Sequence, residues 1–301
     1  MLRRPIPRRG HLSPCMEAPR YLDRAHFEAL RGARGFPAVA PGLWCVGETG
    51  GLERPTVAVV GTRAATPYGR RVAREIACEL GMRGCCVLSG LALGIDACAH
   101  EGALDGKAPT VGVLGSGHSR FFPRKNTGLA ARMVAQGGAV LSPWAPDEPA
   151  YPYRFLERNG IVAALADAVL VVEAPARSGA LNTAGWAAGR IPVLAVPGDV
   201  DRRHSAGCLA LIRDGVMLAR DAADVLEAIG VARLPLAAPA TPPPADPLAQ
   251  SILTLLEDGE HDLDAILAQT SAPTPAVLAA LTLLELDGRI DARGAARYAR
   301  R

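Results

Sequence analysis

The chain has 301 residues, 49% of them hydrophobic and 21% charged, and its formal net charge at pH 7 is +3. This length and apolar content suffice for one large folded domain with small additions, which excludes a mainly disordered chain. Because the net charge is so small, the protein cannot bind nucleic acid through its overall charge, and any such binding requires local clusters of cations.

The first residues are predicted to form a tail. Residues 3–9, with the sequence RRPIPRR, are basic and contain no acidic group. This composition is compatible with a transit peptide or a DNA-contacting tail, but the prolines favour a disordered tail. Translation from Met16 is a further interpretation, in which the tail is not part of the protein.

Residues 57–60 (VAVV) are predicted to form a buried strand that leads into Gly61, Thr62 and Arg63. Glycine allows backbone N–H groups to approach a ligand closely, and a hydroxyl and a planar guanidinium both bind phosphate. Apolar side chains at helical spacing in residues 70–80 predict a helix, whose N-terminus adds a favourable dipole nearby. The segment indicates an anion-binding strand-loop-helix unit, although an ordinary strand end with a surface arginine gives the same pattern.

The same arrangement recurs along the chain. Apolar runs at residues 85–89, 110–114, 168–172 and 192–196 each precede a segment rich in glycine, proline or small hydroxyl residues, and helix-like stretches fill the gaps. Continuous apolar strands alternating with helices are typical of an α/β protein, in which a parallel sheet is covered by helices on both faces. Such sheets bind ligands beyond the carboxyl ends of their strands, so the glycine-rich tips are expected to converge.

The sequence lacks the motifs of nucleotide-dependent enzymes. Residues 61–63 lack the second and third glycines of the dinucleotide fingerprint. Residues 102–107 are one residue short of a phosphate-binding P-loop, with Ala108 in place of its serine or threonine, and fit a helix end followed by a turn. No nucleophile with an adjacent base and no metal-ligand cluster is recognised. We therefore predict a binding protein that is not an enzyme and uses no metal ion or cofactor.

Two further groups allow more than one interpretation. Asp96 and His100 lie four residues apart and can pair on one helix face, which favours a structural hydrogen bond over acid–base catalysis. Glu173 follows a predicted strand, where it can act as an acid, contact a ligand, or serve as a capping or rim carboxylate.

A set of short motifs in one colinear order links the chain to a known family. They are GTR at residues 61–63, YG at 68–69, SGLALGID at 89–96, AH at 99–100, RN at 158–159, VEA at 172–174, SG at 178–179 and PG at 197–198. With these motifs the chain resembles the DNA-processing protein A family, also called DprA or Smf, over residues 35–229, and more weakly through its C-terminal part. The resemblance implies an extended Rossmann-like domain that binds single-stranded DNA, forms homodimers, protects incoming DNA and loads the recombinase RecA in natural transformation, without catalytic turnover.

One loop supplies aromatic rings and cations together. Residues 121–126 (FFPRKN) resemble an aromatic-Pro-x-x-Asn loop of the family. Lys125 is assigned to phosphate, and Phe121 or Phe122 to a base or to packing that only anchors the loop. With the tips and the family motifs, this loop completes a predicted DNA-binding set. Its members are Gly61, Thr62, Arg63, Ser89, Gly90, Gly94, Gly115, Ser116, Gly117, Phe121, Lys125, Asn126, Arg158, Asn159, Ser178 and Gly179.

Two of the departures from the family pattern remove a polar side chain. The usual Arg-Asn-Arg ends in Gly160, and the usual Gly-x-Asn-x-Leu-Ile has Leu209 at its asparagine position. One cation and one amide are therefore missing, which leaves the fold intact and bears on the affinity for DNA. Two alternatives stay open: a Rossmann-like enzyme similar to nucleotide phosphoribohydrolases, and a protein-interaction scaffold with a vestigial DNA site.

Composition and the resemblance together predict four segments. Residues 1–55 hold the tail and a truncated helical module, and residues 56–232 hold the Rossmann-like domain. Residues 233–247 are dominated by alanine and proline and predict a stiff linker. Residues 248–301 are predicted to form a small winged-helix-like domain.

That small domain is predicted to contain three helices followed by a wing, with the helices at residues 248–256, 261–269 and 275–286. The third helix offers no cation or amide to DNA over residues 276–281 (AVLAAL), so specific duplex recognition is not expected. The arginines at positions 289, 293, 297, 300 and 301 can bind phosphate non-specifically, belong to a solvated tail or contact a protein.

The seven cysteines are odd in number and form no C-x-x-C pair, and several lie in apolar runs. This pattern favours reduced, buried thiols in the cytoplasm. No apolar run has the length of a membrane-spanning helix, and no signal peptide is recognised, so a membrane partner is not expected.

Overall fold

The computed structural model describes residues 18–31, 41–231, 246–256, 259–286, 289–293 and 297–300. The chain divides after residue 235 into two compact units. The predicted tail at residues 3–9, the alternative start at Met16 and most of the predicted linker at residues 233–247 lie outside the described residues.

Within the described residues, the first unit contains a nine-stranded sheet. Its strands are β1 (Arg20–Asp23), β2 (Gly42–Gly47), β3 (Thr56–Val60), β4 (Cys86–Ser89), β5 (Thr110–Val113), β6 (Ala139–Ser142), β7 (Ala168–Val171), β8 (Val193–Ala195) and β9 (Met217–Leu218). Their order across the sheet is β1-β2-β6-β5-β4-β3-β7-β8-β9. Strands β3 to β9 run parallel, whereas β1 pairs antiparallel with β2, and β2 antiparallel with β6.

Helices cover both faces of this sheet, as predicted. They are α1 (Arg24–Arg31), α2 (Pro67–Met82), α3 (Ile95–Asp105), α4 (Thr127–Ala135), α5 (Pro152–Leu165), α6 (Gly179–Ala187), α7 (Ala206–Arg213) and α8 (Ala222–Ala228). Side chains alternate along β3, because successive residues of a strand point to opposite faces. Val57 and Val59 join the apolar core that contains Ile76 of α2. Val60 joins the core on the other face, with Ile161 of α5.

The strand-loop-helix unit predicted around Gly61 is present as β3 followed by α2. The Thr66 side chain caps α2 by accepting a hydrogen bond from the Gly69 N–H at 3.1 Å, and Pro67 lies in the first turn. The helix therefore begins three residues before the predicted start at residue 70. Residues 102–107 form the end of α3 and a turn, which confirms that they are not a P-loop.

Strands β1, β2, β6 and β9 were not predicted from the sequence. Strand β9 has only two residues, too few for a recognisable pattern, whereas the run of β6 (Ala139–Ser142) is as long as those of β4, β5 and β7 and was missed. Strands β1 and β2 extend the sheet within the segment where a truncated helical module was expected, and Phe27 of α1 is buried in the core beside them. The N-terminal extension thus adds strands as well as a helix to the first unit.

The second unit combines helices with a small sheet. Its described elements are α9 (Pro247–Leu255), β10 (His261–Asp262), α10 (Leu263–Thr270), α11 (Thr274–Leu286), β11 (Ile290–Arg293) and β12 (Arg297–Arg300). The strands are antiparallel in the order β10-β12-β11. The three predicted helices are confirmed, but the second begins at Leu263, two residues later than predicted. Asp262 is its N-cap and accepts from the Ala265 N–H at 2.8 Å, and His261 lies in β10. Arg301 and the side chains of Arg293 and Arg300 lie outside the described residues.

The described cysteines are free, and most of them are buried, as predicted. Burial raises the pKa of the Cys86 and Cys208 thiols to about 12. It raises the pKa of the Cys45 and Cys85 thiols to about 11. These thiols are therefore protonated at neutral pH, which makes them poor nucleophiles.

No single helix among the described residues is long and apolar enough to cross a membrane. One pair of consecutive helices, Leu263–Thr270 and Thr274–Glu285, is long and apolar enough when the two are taken together, but it is bent by 116° between them.

Candidate functional site

A cavity of about 760 Å³ opens beyond the carboxyl ends of β3 and β4. Its walls are the loops after these strands, the N-terminal half of α5 and the segment between β7 and α6. The glycine-rich tips after β3, β4 and β7 therefore converge, as expected for a parallel sheet, whereas the tips after β5 and β8, which were expected to join them, do not line the cavity. The predicted site residues that line the cavity are Gly61, Thr62, Arg63, Gly90, Arg158, Asn159, Ser178 and Gly179.

The loop after β3 is held close to its neighbours. A Cβ atom at Gly61 would lie 2.5 Å from Cγ1 of Ile95, so only glycine fits where α3 approaches. Thr62 is nearly buried; its backbone N–H donates to the Glu173 carbonyl at 2.7 Å, and its hydroxyl accepts from the Ala64 N–H at 3.2 Å. Thr62 therefore fixes the path of the loop, which presents the next residue, an arginine, to the cavity.

Aromatic rings and that arginine form one wall of the cavity. Arg63 is exposed, with its guanidinium carbon 4.9 Å from the centroid of the Phe155 ring. Phe122, 48% exposed, contacts Phe155 edge to face with the ring centroids 5.8 Å apart. Of the two phenylalanines in the predicted loop, Phe121 packs in the core, whereas Phe122 lines the cavity together with Tyr151. This wall offers both a cation and apolar faces.

Arg158 lies buried in the floor of the cavity. Its guanidinium donates to the Gly90 carbonyl and, at 2.6 Å, to the Val113 carbonyl. Asp96 accepts from the Gly90 N–H at 3.1 Å, so the loop after β4 is held from both sides. Burial lowers the pKa of Arg158 to about 10, against the opposing effect of Asp96, and burial raises the pKa of Asp96. Arg158 thus keeps its positive charge at neutral pH while it positions the loop.

The N-terminus of α6 is part of the cavity wall. Ser178 caps this helix by accepting from the Ala180 N–H at 3.2 Å. The Asn159 side chain donates to the Gly179 carbonyl at 3.1 Å and so ties α5 to the start of α6. Helix N-termini attract anions through their unpaired N–H groups and dipole. Arg177, exposed and also part of the lining, adds a cation that the predicted set did not include, although it belongs to the tip after β7.

Two predicted residues near β4 support the site without lining the cavity. The Ser89 hydroxyl is fully buried and donates to the Val59 carbonyl at 2.6 Å, which ties β4 to β3. Gly94 has a φ of +82°, and a Cβ atom there would collide with the Thr62 carbonyl. Direct contact of these residues with a ligand stays a prediction.

The tip after β5 lies behind the aromatic wall. A Cβ atom at Gly115 would approach the Phe155 ring to 2.5 Å, so this glycine lets the ring pack against the backbone. Ser116 is fully buried, and Gly117 lies against the Ala145 carbonyl. Gly115 thereby positions Phe155, and none of these three residues is among those that line the cavity.

In the loop at residues 121–126, Asn126 and Lys125 lie in different environments. Asn126 is buried and donates to the Leu91 and Ala92 carbonyls at 2.9 and 3.0 Å, which fixes the loop after β4. Lys125 is exposed and does not line the cavity. Its assignment to phosphate stays a prediction.

The expected pair of Asp96 and His100 is wrong. The His100 Nδ1 atom lies 2.7 Å from the Thr110 hydroxyl, which itself donates to the Val87 carbonyl at 2.7 Å. Asp96 instead accepts from backbone N–H groups of the loop after β4. A structural hydrogen bond is thus present at His100, with a different partner.

Glu173 has the capping role that the sequence left open. It is buried and accepts from the Thr66 hydroxyl at 2.5 Å and from the Thr66 N–H at 3.0 Å. The carboxylate thereby holds the N-cap of α2 beside β7. Within the described residues, no group of three or more His, Cys, Asp or Glu side chains is placed to hold a metal ion.

Gly160, the first departure from the family pattern, lies beneath an aromatic ring. A Cβ atom at this position would come 3.3 Å from the Trp186 indole, which is 40% exposed on α6. The chain therefore has a glycine and a packed indole at a position where the family usually has a second arginine. Leu209, the second departure, is partly exposed on α7.

Comparison with known proteins gives matches over most of the chain. The family model described as DNA recombination-mediator protein A matches residues 21–230, and the one described as DprA winged helix domain matches residues 235–295. The putative DNA processing protein DprA of Mycobacterium tuberculosis is 39% identical over an alignment of 260 residues, and the match covers 83% of this chain. The chain spans 66% of the length of that relative.

Solved structures agree with these matches. DNA processing protein A of Streptococcus pneumoniae is similar with a TM-score of 0.59 and 36% identity, covering 62% of this chain and 66% of that one. DNA processing protein A of Helicobacter pylori, whose structure concerns its single-stranded DNA binding mode, is similar with a TM-score of 0.57 and 31% identity. That match covers 62% of this chain and 85% of the other.

Proposed function

The chain belongs to the DNA recombination-mediator protein A family, and we propose that it binds single-stranded DNA in the cavity beyond the carboxyl ends of β3 and β4. The observation that carries the proposal is the exposed Arg63 guanidinium over the Phe155 ring. A protein that binds single strands without sequence preference needs cations for the phosphates and aromatic faces for the bases. This pair supplies both within one cavity wall.

The rest of the cavity supports the same ligand. Arg177 and the N-terminus of α6 provide positive potential on the side formed by the segment between β7 and α6. Phe122 and Tyr151 add further rings to the lining. Glycines at the tips let a backbone approach closely, which suits phosphate better than a base edge. Binding is therefore expected to depend little on base sequence.

The proposal extends to the role that the family resemblance implies. The protein would protect incoming single-stranded DNA and load the RecA recombinase onto it, as a homodimer in the cytoplasm. The support for this part is the family membership alone, and the proposal includes no catalytic step.

The experiment is fluorescence anisotropy of a labelled single-stranded oligonucleotide, titrated at several salt concentrations beside a matching duplex. The Arg63→Ala variant is expected to bind more weakly, and its slope of log affinity against log salt should fall by about 0.7, the value for one lost phosphate contact. Arg71→Ala is the matched control, because Arg71 is exposed on α2, paired with Glu75 at 3.0 Å, and does not line the cavity. Absence of single-strand binding at low salt, or an unchanged slope for Arg63→Ala, would overturn the proposal.

A further inference from the structure

A pair of half-exposed tyrosines lies where the cavity meets the N-terminus of α5. Tyr151 and Tyr153 are 44% and 54% exposed, and their rings are stacked with centroids 5.8 Å apart and planes inclined by 10°. Tyr151 is the N-cap residue of α5 and lines the cavity. The pair is therefore continuous with the cavity wall, and much of its ring surface faces solvent.

A buried arginine holds these rings in place. The Arg154 guanidinium carbon lies 5.0 Å from the Tyr151 ring centroid and 6.0 Å from that of Tyr153. The same guanidinium donates to the Pro149 carbonyl at 2.8 Å and to Glu148 at 2.9 Å, so its position is fixed. A preformed aromatic face loses little conformational entropy when a planar ligand stacks on it.

We propose that Tyr151 and Tyr153 form a second base-stacking platform, on which a nucleobase outside the cavity rests as a DNA strand passes the N-terminus of α5. The inference rests on the proposed function, because it takes the strand in the cavity as its starting point. A strand that stacks one base beside Phe155 continues past Tyr151, which lies one helical turn before Phe155 along the chain. The phosphate between the two bases then passes the N-terminus of α5, whose dipole favours an anion.

The test compares single-stranded oligonucleotides of thymidine, from about 3 to about 12 nucleotides, a range that spans the site sizes of single-strand binders. Short strands that fill only the cavity are expected to bind the wild type and Tyr153→Ala equally. Above a threshold length the wild type should gain affinity by about fivefold or more over Tyr153→Ala, the lower end of the effect of one stacked base. Tyr153→Phe keeps the ring and should keep the gain.

Tyr68→Ala is the matched control, because Tyr68 is 44% exposed on α2, donates to the Pro197 carbonyl at 3.3 Å and does not line the cavity. Equal affinities for wild type and Tyr153→Ala at every length, with Arg63→Ala still defective, would overturn the platform and leave the cavity site standing. An equal loss at all lengths would also overturn it, because the effect would then not lie beyond the cavity. If the wild type binds no oligonucleotide, the proposed function fails, and the platform fails with it.

Discussion

His100 is a buried neutral histidine that makes the stability of the fold depend on pH. Its Nδ1 N–H donates to the Thr110 hydroxyl, because that hydroxyl already donates to the Val87 carbonyl. Among the described residues its Nε2 atom has no hydrogen-bond partner, so a second proton would place a buried N–H there without an acceptor. Burial, together with the smaller effect of the positive charge of Arg158, lowers the pKa of His100 to about 3.

Between pH 6.5 and about pH 3, the unfolded chain carries a proton on His100 that the folded chain does not. Above pH 6.5 this histidine costs the folded state nothing. As the pH is lowered from 6.5 to about 3, the free energy of unfolding decreases, by up to about 1.4 kcal/mol per pH unit. His100→Asn keeps a hydrogen-bond donor toward Thr110 but removes the titrating group. Urea unfolding of this variant at a series of pH values should therefore give a free energy of unfolding that depends less steeply on pH than that of the wild type. His204→Asn, at a partly exposed position, should keep the wild-type slope. A wild-type slope in His100→Asn would contradict this account.

In an irregular loop, the sequence has no helix or strand periodicity that tells which of two neighbouring residues is buried and which is exposed. The sequence assigned Phe121 or Phe122 to a base or to packing that only anchors the loop, and the structure puts Phe121 in the core and Phe122 at the cavity. Two further rings of the site, Tyr151 and Phe155, were missed. A signal for them existed, since residues 151–155 (YPYRF) concentrate aromatic rings in a chain that is only 4% aromatic.

At the scale of elements, glycines in two helices are expected to respond in opposite ways to alanine. A Cβ atom at Gly69 of α2 would collide with the Glu173 side chain, which holds the cap of that helix. A Cβ atom at Gly185 of α6 would meet nothing within 4 Å. Gly69→Ala should therefore lower the free energy of unfolding by about 1–3 kcal/mol, and Gly185→Ala should raise it by about 0.5–1 kcal/mol. Urea unfolding measures both, and stabilisation by Gly69→Ala would show that Glu173 does not hold the cap.

Five of the parallel strands, β3, β4, β5, β7 and β8, were predictable because burial on both faces leaves continuous apolar runs in the sequence. Runs at residues 57–60 and 110–114 correspond to β3 and β5 within one residue. Strand β2 was not predictable in the same way. Its sequence GLWCVG begins and ends with glycine, and it does not belong to a predicted strand-loop-helix unit. Its antiparallel pairing with β6 depends on contacts distant in sequence, which local patterns do not encode.

At the scale of the whole molecule, the described residues form separate apolar cores in the two units. The cores of the first unit draw on strands β2 to β8, and the core of the second on Ile252, Ile266, Leu281 and their neighbours. The residues that line the cavity all belong to the first unit.

A chain that ends at residue 231 is therefore expected to keep both the fold of the first unit and its single-strand binding. Helix α11 of the second unit has the sequence TPAVLAALTLLEL, which offers no cation to DNA. Removal of the whole second unit should therefore change the affinity by no more than about twofold, or about 0.4 kcal/mol. Anisotropy at one salt concentration and urea unfolding measure the two properties, and Arg63→Ala in the shortened chain should lose binding as it does in the full chain. A loss of tenfold or more in the shortened chain that retains its urea midpoint would place part of the DNA site in the second unit. In that case the arginines at positions 289 and 297, rather than α11, would be the first candidates for phosphate contacts.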